Sequence, residues 1–85
     1  MKLWGKTRLD NRTVSSDTVT VAAKSAYEVE DWSEPFSRLC HKLNLSRPVI
    51  LKKHVRELEQ FSHTVFFPAD FLEPVDFDRF EVELY

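Results

Sequence analysis

Both ends of this chain alternate in polarity with a period of two, and the two ends carry opposite charge. Near the start, Leu3, Gly5, Thr7 and Leu9 fall on one side and Trp4, Lys6 and Arg8 on the other. Near the finish, Phe80, Val82 and Leu84 oppose Arg79, Glu81, Glu83 and Tyr85. That period belongs to strands with one buried face. Opposite charges across a strand pair contribute about 0.2 to 1 kcal/mol each, so Glu81 and Glu83 are expected to answer Lys6 and Arg8. The N- and C-terminal strands then become neighbours in one sheet, and everything between them has to return to that sheet.

The intervening chain supplies the other elements. Asp10-Asn11-Arg12 suits a tight turn, and the Val- and Thr-rich run from Thr13 to Ala22 reads as the second arm of a β-hairpin, better buried in its later half. Val29, Trp32, Phe36, Leu39, Cys40 and Leu43 recur mostly at steps of three and four, which predicts an amphipathic helix. Its start is ambiguous, because Pro35 fits a first turn but not a helix interior, and Ser33 is a candidate N-cap; Asn44 can supply the left-handed stop. Pro48-Val49-Ile50-Leu51 is expected as a short buried strand. A second helix from about Lys53 to Ser62 presents Val55, Leu58 and Phe61, and Pro68 opens a single helical turn that Pro74 closes off.

Six of the seven phenylalanines lie between Phe61 and Phe80, interleaved with acids. Each ring that finds cover contributes about 1.5 to 3 kcal/mol, so most of this cluster is expected in the core. With 85 residues, 42% of them hydrophobic and 31% charged, residues 1–85 are expected to form one small domain. The expectation is an α+β fold of order β-β-α-β-α-β, one sheet with both helices mainly on one face. A single cysteine leaves no internal disulfide and favours the cytoplasm. No apolar run is long enough to span a bilayer, and the first residues do not build an export signal, so no membrane association is expected.

Charge is distributed in blocks of +3 (residues 1–25), −4 (26–36), +5 (37–57) and −6 (58–85). The third block holds Arg38, Lys42, Arg47, Lys52, Lys53 and Arg56, which could follow a phosphate backbone and supply a nucleic-acid-binding reading. It has no interleaved exposed aromatics, glycine-rich phosphate loop or helix-turn-helix spacing, so solvated faces that meet the acidic blocks are the simpler account. Cys40, His41, His54 and His63 are spaced wrongly for a catalytic or zinc constellation. Asp70, Glu73, Asp76 and Asp78 lack the pattern of a calcium loop. No cofactor or metal is expected, nor is catalysis.

Trp4 is different, because it sits on the polar face of the first strand, where helices packed on one face only leave it near solvent. Beside Tyr85 on an adjacent strand it would form an apolar patch, the kind of feature that marks a protein contact. The leading expectation is therefore a non-enzymatic interaction module. It would bind a protein partner or pair with itself as a homodimer, through the polar sheet face or a strand edge. Trp4, Lys6, Arg8, Glu83 and Tyr85 are its contact candidates. The segments Lys2–Lys6 with Asp10–Arg12, Leu45–Leu51 and Asp76–Val82 together resemble a group of short uncharacterised bacterial proteins. That resemblance implies a bacterial, cytoplasmic, single-domain protein and carries no activity.

Overall fold

The computed structural model describes residues 1–85. Strand β1 (Lys2–Leu9) turns through Asp10 and Asn11, at φ of 50° and 63°, into β2 (Arg12–Thr20). Two successive left-handed residues make the turn whose twist matches that of a hairpin, and Asp and Asn are among the residues that tolerate them. Pairing runs Leu3 with Val19 and Thr7 with Ser15, then slips, so that Arg8 meets Thr13 and Val14 bulges out. As the alternation implied, Val19 and Val21 are buried and the earlier half of the arm is more exposed.

Helix α1 spans Ser33–Lys42, with Pro35 inside its first turn, where a missing N–H costs nothing. Ser33 is not the N-cap. The Asp31 carboxylate, two residues upstream, accepts hydrogen bonds from the Ser33 N–H and hydroxyl, and these bonds hold its pKa below the usual carboxylate value. Asn44, at φ 57°, ends the helix as expected, and the Leu45 N–H reaches back to the Cys40 carbonyl. Phe36, Leu39 and Cys40 form the buried stripe. Burial pushes the Cys40 thiol up to about 11, against a small opposing pull from Arg47, so it stays protonated and apolar.

The expected strand at Pro48–Leu51 does not form. Only Pro48 of this segment is buried; Val49 and Leu51 are 41% and 45% exposed, and the Val49 N–H bonds the Asp70 carbonyl of the closing loop rather than a strand. Helix α2 (Lys52–Phe61) follows directly, and Ser62, at φ 58°, reverses the chain into β3 (His63–Phe66). After a single helical turn at Pro68–Asp70, β4 (Arg79–Leu84) completes the sheet. The order along the chain is therefore β-β-α-α-β-β, and the strand placed before α2 lies after it. Four strands, all antiparallel, stand in the order β2-β1-β4-β3.

Both helices cover one face, α1 over β1 and β2 and α2 beside β3. Between them and the sheet lies an aromatic file in which Phe36 packs 5.4 Å from Phe66, and Phe66 packs 6.1 Å from Phe80. Phe71 and Phe77 extend it, 5.4 Å apart. Phe61 departs from its expected place and is 69% exposed. It closes a row with Lys53 and Glu57 along the rim of α2, while His54 and Leu58 are the residues buried beneath. Gly5, the chain's one glycine, faces inward where α1 comes closest: a Cβ there would stand 2.7 Å from Leu39 Cδ2 and 2.8 Å from the Phe80 ring.

Candidate interaction surface

Because the helices occupy one side of the sheet, the other side has no covering element. Alternation turns Trp4, Lys6 and Arg8 of β1, Arg79, Glu81 and Glu83 of β4, and His63 and Val65 of β3 onto that open face. Register then fixes two cross-strand rows. One reads Thr18, Trp4, Glu83, His63 and the next Ser16, Lys6, Glu81, Val65. Just beyond β4, Tyr85 lies against Lys2 through a reciprocal pair of backbone hydrogen bonds.

The five contact candidates thus share one surface. Trp4 is half-buried and meets Tyr85 edge to face, with ring centroids 6.4 Å apart. Lys6 Nζ stands 4.5 Å above the Trp4 ring and 3.5 Å from Glu81 Oε1. Arg79 holds the other Glu81 oxygen at 2.7 Å. Partial burial works to raise the Glu81 pKa, but the Arg79 hydrogen bond and the charges of Arg79, Lys6 and Arg8 outweigh it and hold the group below its usual value.

One expected pair is absent. Arg8 faces Arg79, and Glu83 faces Trp4. Antiparallel strands count in opposite directions, so once Lys6 stands opposite Glu81, the residue two beyond Lys6 must meet the residue two before Glu81. Arg8 instead turns back to the hairpin, donating to Thr13 Oγ1 at 2.7 Å and the Asn11 carbonyl at 3.0 Å. His63 and Val65 join the surface without having been anticipated. The available signal was the alternation His63-Thr64-Val65-Phe66, in which Thr64 and Phe66 are buried.

The basic residues are spread over different parts of the fold. Arg38 pairs with Glu34 at 2.7 Å and donates to the Thr20 carbonyl at 2.8 Å; Lys42 lies 3.5 Å from Asp17 and donates to the Thr18 carbonyl at 2.8 Å. Arg47 lies in the loop between the helices, and Lys52, Lys53 and Arg56 ride on α2 over the other half of the sheet. The acids of the closing loop are used locally. Asp70 accepts from the Phe67 N–H, Glu73 from the Ser46 hydroxyl and Asp78 from the Asp10 N–H. No three His, Cys, Asp or Glu side chains converge as a metal site, and no helix is long and apolar enough to cross a membrane.

His54 is fully buried against Phe66, with ring centroids 4.1 Å apart. Its Nδ1 accepts the Leu51 N–H at 2.9 Å, which places the neutral ring's proton on Nε2, 3.9 Å from Asp70 Oδ2. Burial lowers its pKa from 6.5, with Asp70 opposing. The unfolded chain therefore binds the proton more readily, and stability is expected to fall as pH drops below about 6.5, by at most about 1.4 kcal/mol per pH unit. Asp17, Asp31 and Glu81, all shifted down, lose their contributions only at lower pH, beginning as pH falls into the ordinary carboxylate range and ending below it. Urea titrations at pH 7 and pH 5 check this: His54→Gln should flatten the difference, and an unchanged slope would rule His54 out as its source.

No family model, curated protein or solved structure matches this chain.

Proposed function

We propose that this chain is a non-enzymatic protein-interaction module, and that a protein partner docks on the open face of its sheet. The observation that carries the reading is the contact of Trp4 with Tyr85 on a face that no other element covers. Aromatic side chains combine large apolar area with a polar tip and recur as anchors of protein contacts. Around this pair, Glu83 supplies an acid beside Trp4, and Arg8 and Arg79 form a cationic end four residues along the strands. A partner with an apolar anchor and charges in the reverse order fits this layout. A cytoplasmic setting suits this chain, because a secreted domain this small would usually carry paired cysteines and this one has a single Cys40.

Affinity capture from the native cell extract, comparing the wild type with Trp4→Ala and Lys6→Glu, tests the reading. A protein captured by the wild type should be lost from both variants and kept by Arg56→Ala, whose substitution lies on α2, away from the face. Capture that is indifferent to Trp4 would refute it. Nuclease-sensitive capture that needs Arg38, Lys42 and Arg56 would replace it with a nucleic-acid partner.

A further inference from the structure

The two edges of the sheet are not alike. Along β2, the Thr18 N–H is taken by Asp17 Oδ1 at 2.8 Å, and the outward carbonyls of Thr18 and Thr20 are taken by Lys42 and Arg38. The bulge at Val14 interrupts what remains. Natural sheets close exposed edges in this way. At β3 the ladder to β4 runs through Ser62, Thr64 and Phe66, because the Leu84 N–H bonds the Ser62 carbonyl and pairing continues at Thr64 with Val82 and Phe66 with Phe80. Antiparallel alternation therefore points the backbone N–H and C=O groups of His63 and Val65 outward.

A groove follows that edge, lined by Lys53, Glu57 and Phe61 of α2 together with His63, Val65 and Phe67. Its two phenylalanines, Phe61 and Phe67, are 69% and 52% exposed. Phenylalanine at both ends of a strand with outward backbone groups is what an added strand would cover.

We infer that the β3 edge binds a second copy of this chain, β3 against β3, antiparallel, joining two four-stranded sheets into one of eight. Charge selects this occupant. Antiparallel strands are related by a two-fold axis perpendicular to the sheet, which keeps both α2 helices on the same side and runs them in opposite directions. Lys53 and Glu57, one turn apart on the groove side, then give each copy one cation and one anion to meet their opposites across the seam. Glu57 is already steadied there, since Thr64 donates its hydroxyl to Glu57 Oε1. Phe61 and Phe67 of both copies leave water together. The edge adjoins the open face through His63 and Val65, but the Trp4–Tyr85 contact lies on β1, beyond β4, so the dimer does not depend on that contact.

Sedimentation equilibrium of the full chain over several decades of concentration tests it. Wild type should dimerise. Val65→Pro removes an N–H that no intramolecular ladder uses, so it should be monomeric with an unchanged far-UV spectrum. Lys53→Glu, a change at an exposed residue whose side chain makes no hydrogen bond or ion pair within the chain, should leave the fold intact and weaken the dimer about tenfold by setting acid against acid, and it decides the matter if Val65→Pro folds poorly. Trp4→Ala should dimerise normally. A wild type that stays monomeric throughout would overturn the proposal and leave the edge to an extended segment of another protein. A dimer insensitive to both edge variants, or one lost with Trp4→Ala, would overturn it in favour of a different contact.

Discussion

Replacing Phe66 with alanine is expected to cost about 3 to 5 kcal/mol. The ring is fully buried and touches each part of the core: Phe36 of α1 at 5.4 Å, His54 of α2 at 4.1 Å and Phe80 of β4 at 6.1 Å between centroids. Three elements hold it from different directions, so no one of them can move to fill the space without leaving another gap. A domain of this length has roughly 4 to 13 kcal/mol in all, and the variant should sit close to its unfolding limit at room temperature. Urea denaturation reads the effect directly. The neighbouring Phe67→Ala is the comparison, because that ring is half out in solvent, and its loss should cost the monomer under about 1 kcal/mol. Equal costs at the two positions would mean that the aromatic file is not the centre of the core.

Gly5→Ala is the other change with a large expected effect, and its sign is the informative part. In an ordinary strand, alanine recovers about 0.4 to 1 kcal/mol of unfolded-chain entropy relative to glycine. Here the new methyl would stand within 2.7 to 2.9 Å of Leu39 Cδ2 and two atoms of the Phe80 ring. Both neighbours are fully buried, so neither can withdraw into solvent. Overpacking of this kind costs about 1 to 3 kcal/mol, which leaves Gly5→Ala net destabilising. Shortening the neighbour should relieve it: Gly5→Ala with Leu39→Val is expected to be more stable than the sum of the two single changes implies. Strict additivity, or a stabilising Gly5→Ala, would show that α1 does not rest on β1 this closely.

Which parts of the fold are legible in the sequence follows from how far each signal reaches. The end strands are long enough for their alternation to count, and with Lys6 and Glu81 they place β1 beside β4. The same alternation puts Trp4, Lys6, Arg8, Glu83 and Tyr85 on one face. It does not pair them, because pairing also requires strand direction and register, which the charges alone leave open; the antiparallel register sets Arg8 opposite Arg79 and Glu83 opposite Trp4. Strand β3 is hidden by its length and by two polar residues in four. The apolar run Pro48–Leu51 reads as a strand in its place, because four apolar residues look the same in a buried strand and in a connecting segment whose Val49 and Leu51 face solvent. Phe61 shows a different limit. Helical spacing identifies its neighbours along α2, but not that the core stops a turn earlier, at Leu58.

The strand order also constrains how the molecule comes together. Each outer strand pairs with a partner close to it in sequence, β2 with β1 across a two-residue turn and β3 with β4 across one loop. The central seam, where Leu3 lies opposite Leu84, joins segments from the two ends of the chain. Closing so long a loop comes before any reward from the seam's own contacts. Chains dominated by such distant pairings fold more slowly than helical bundles of equal size. Neither half is complete on its inner side, so the domain exists only once β1 meets β4.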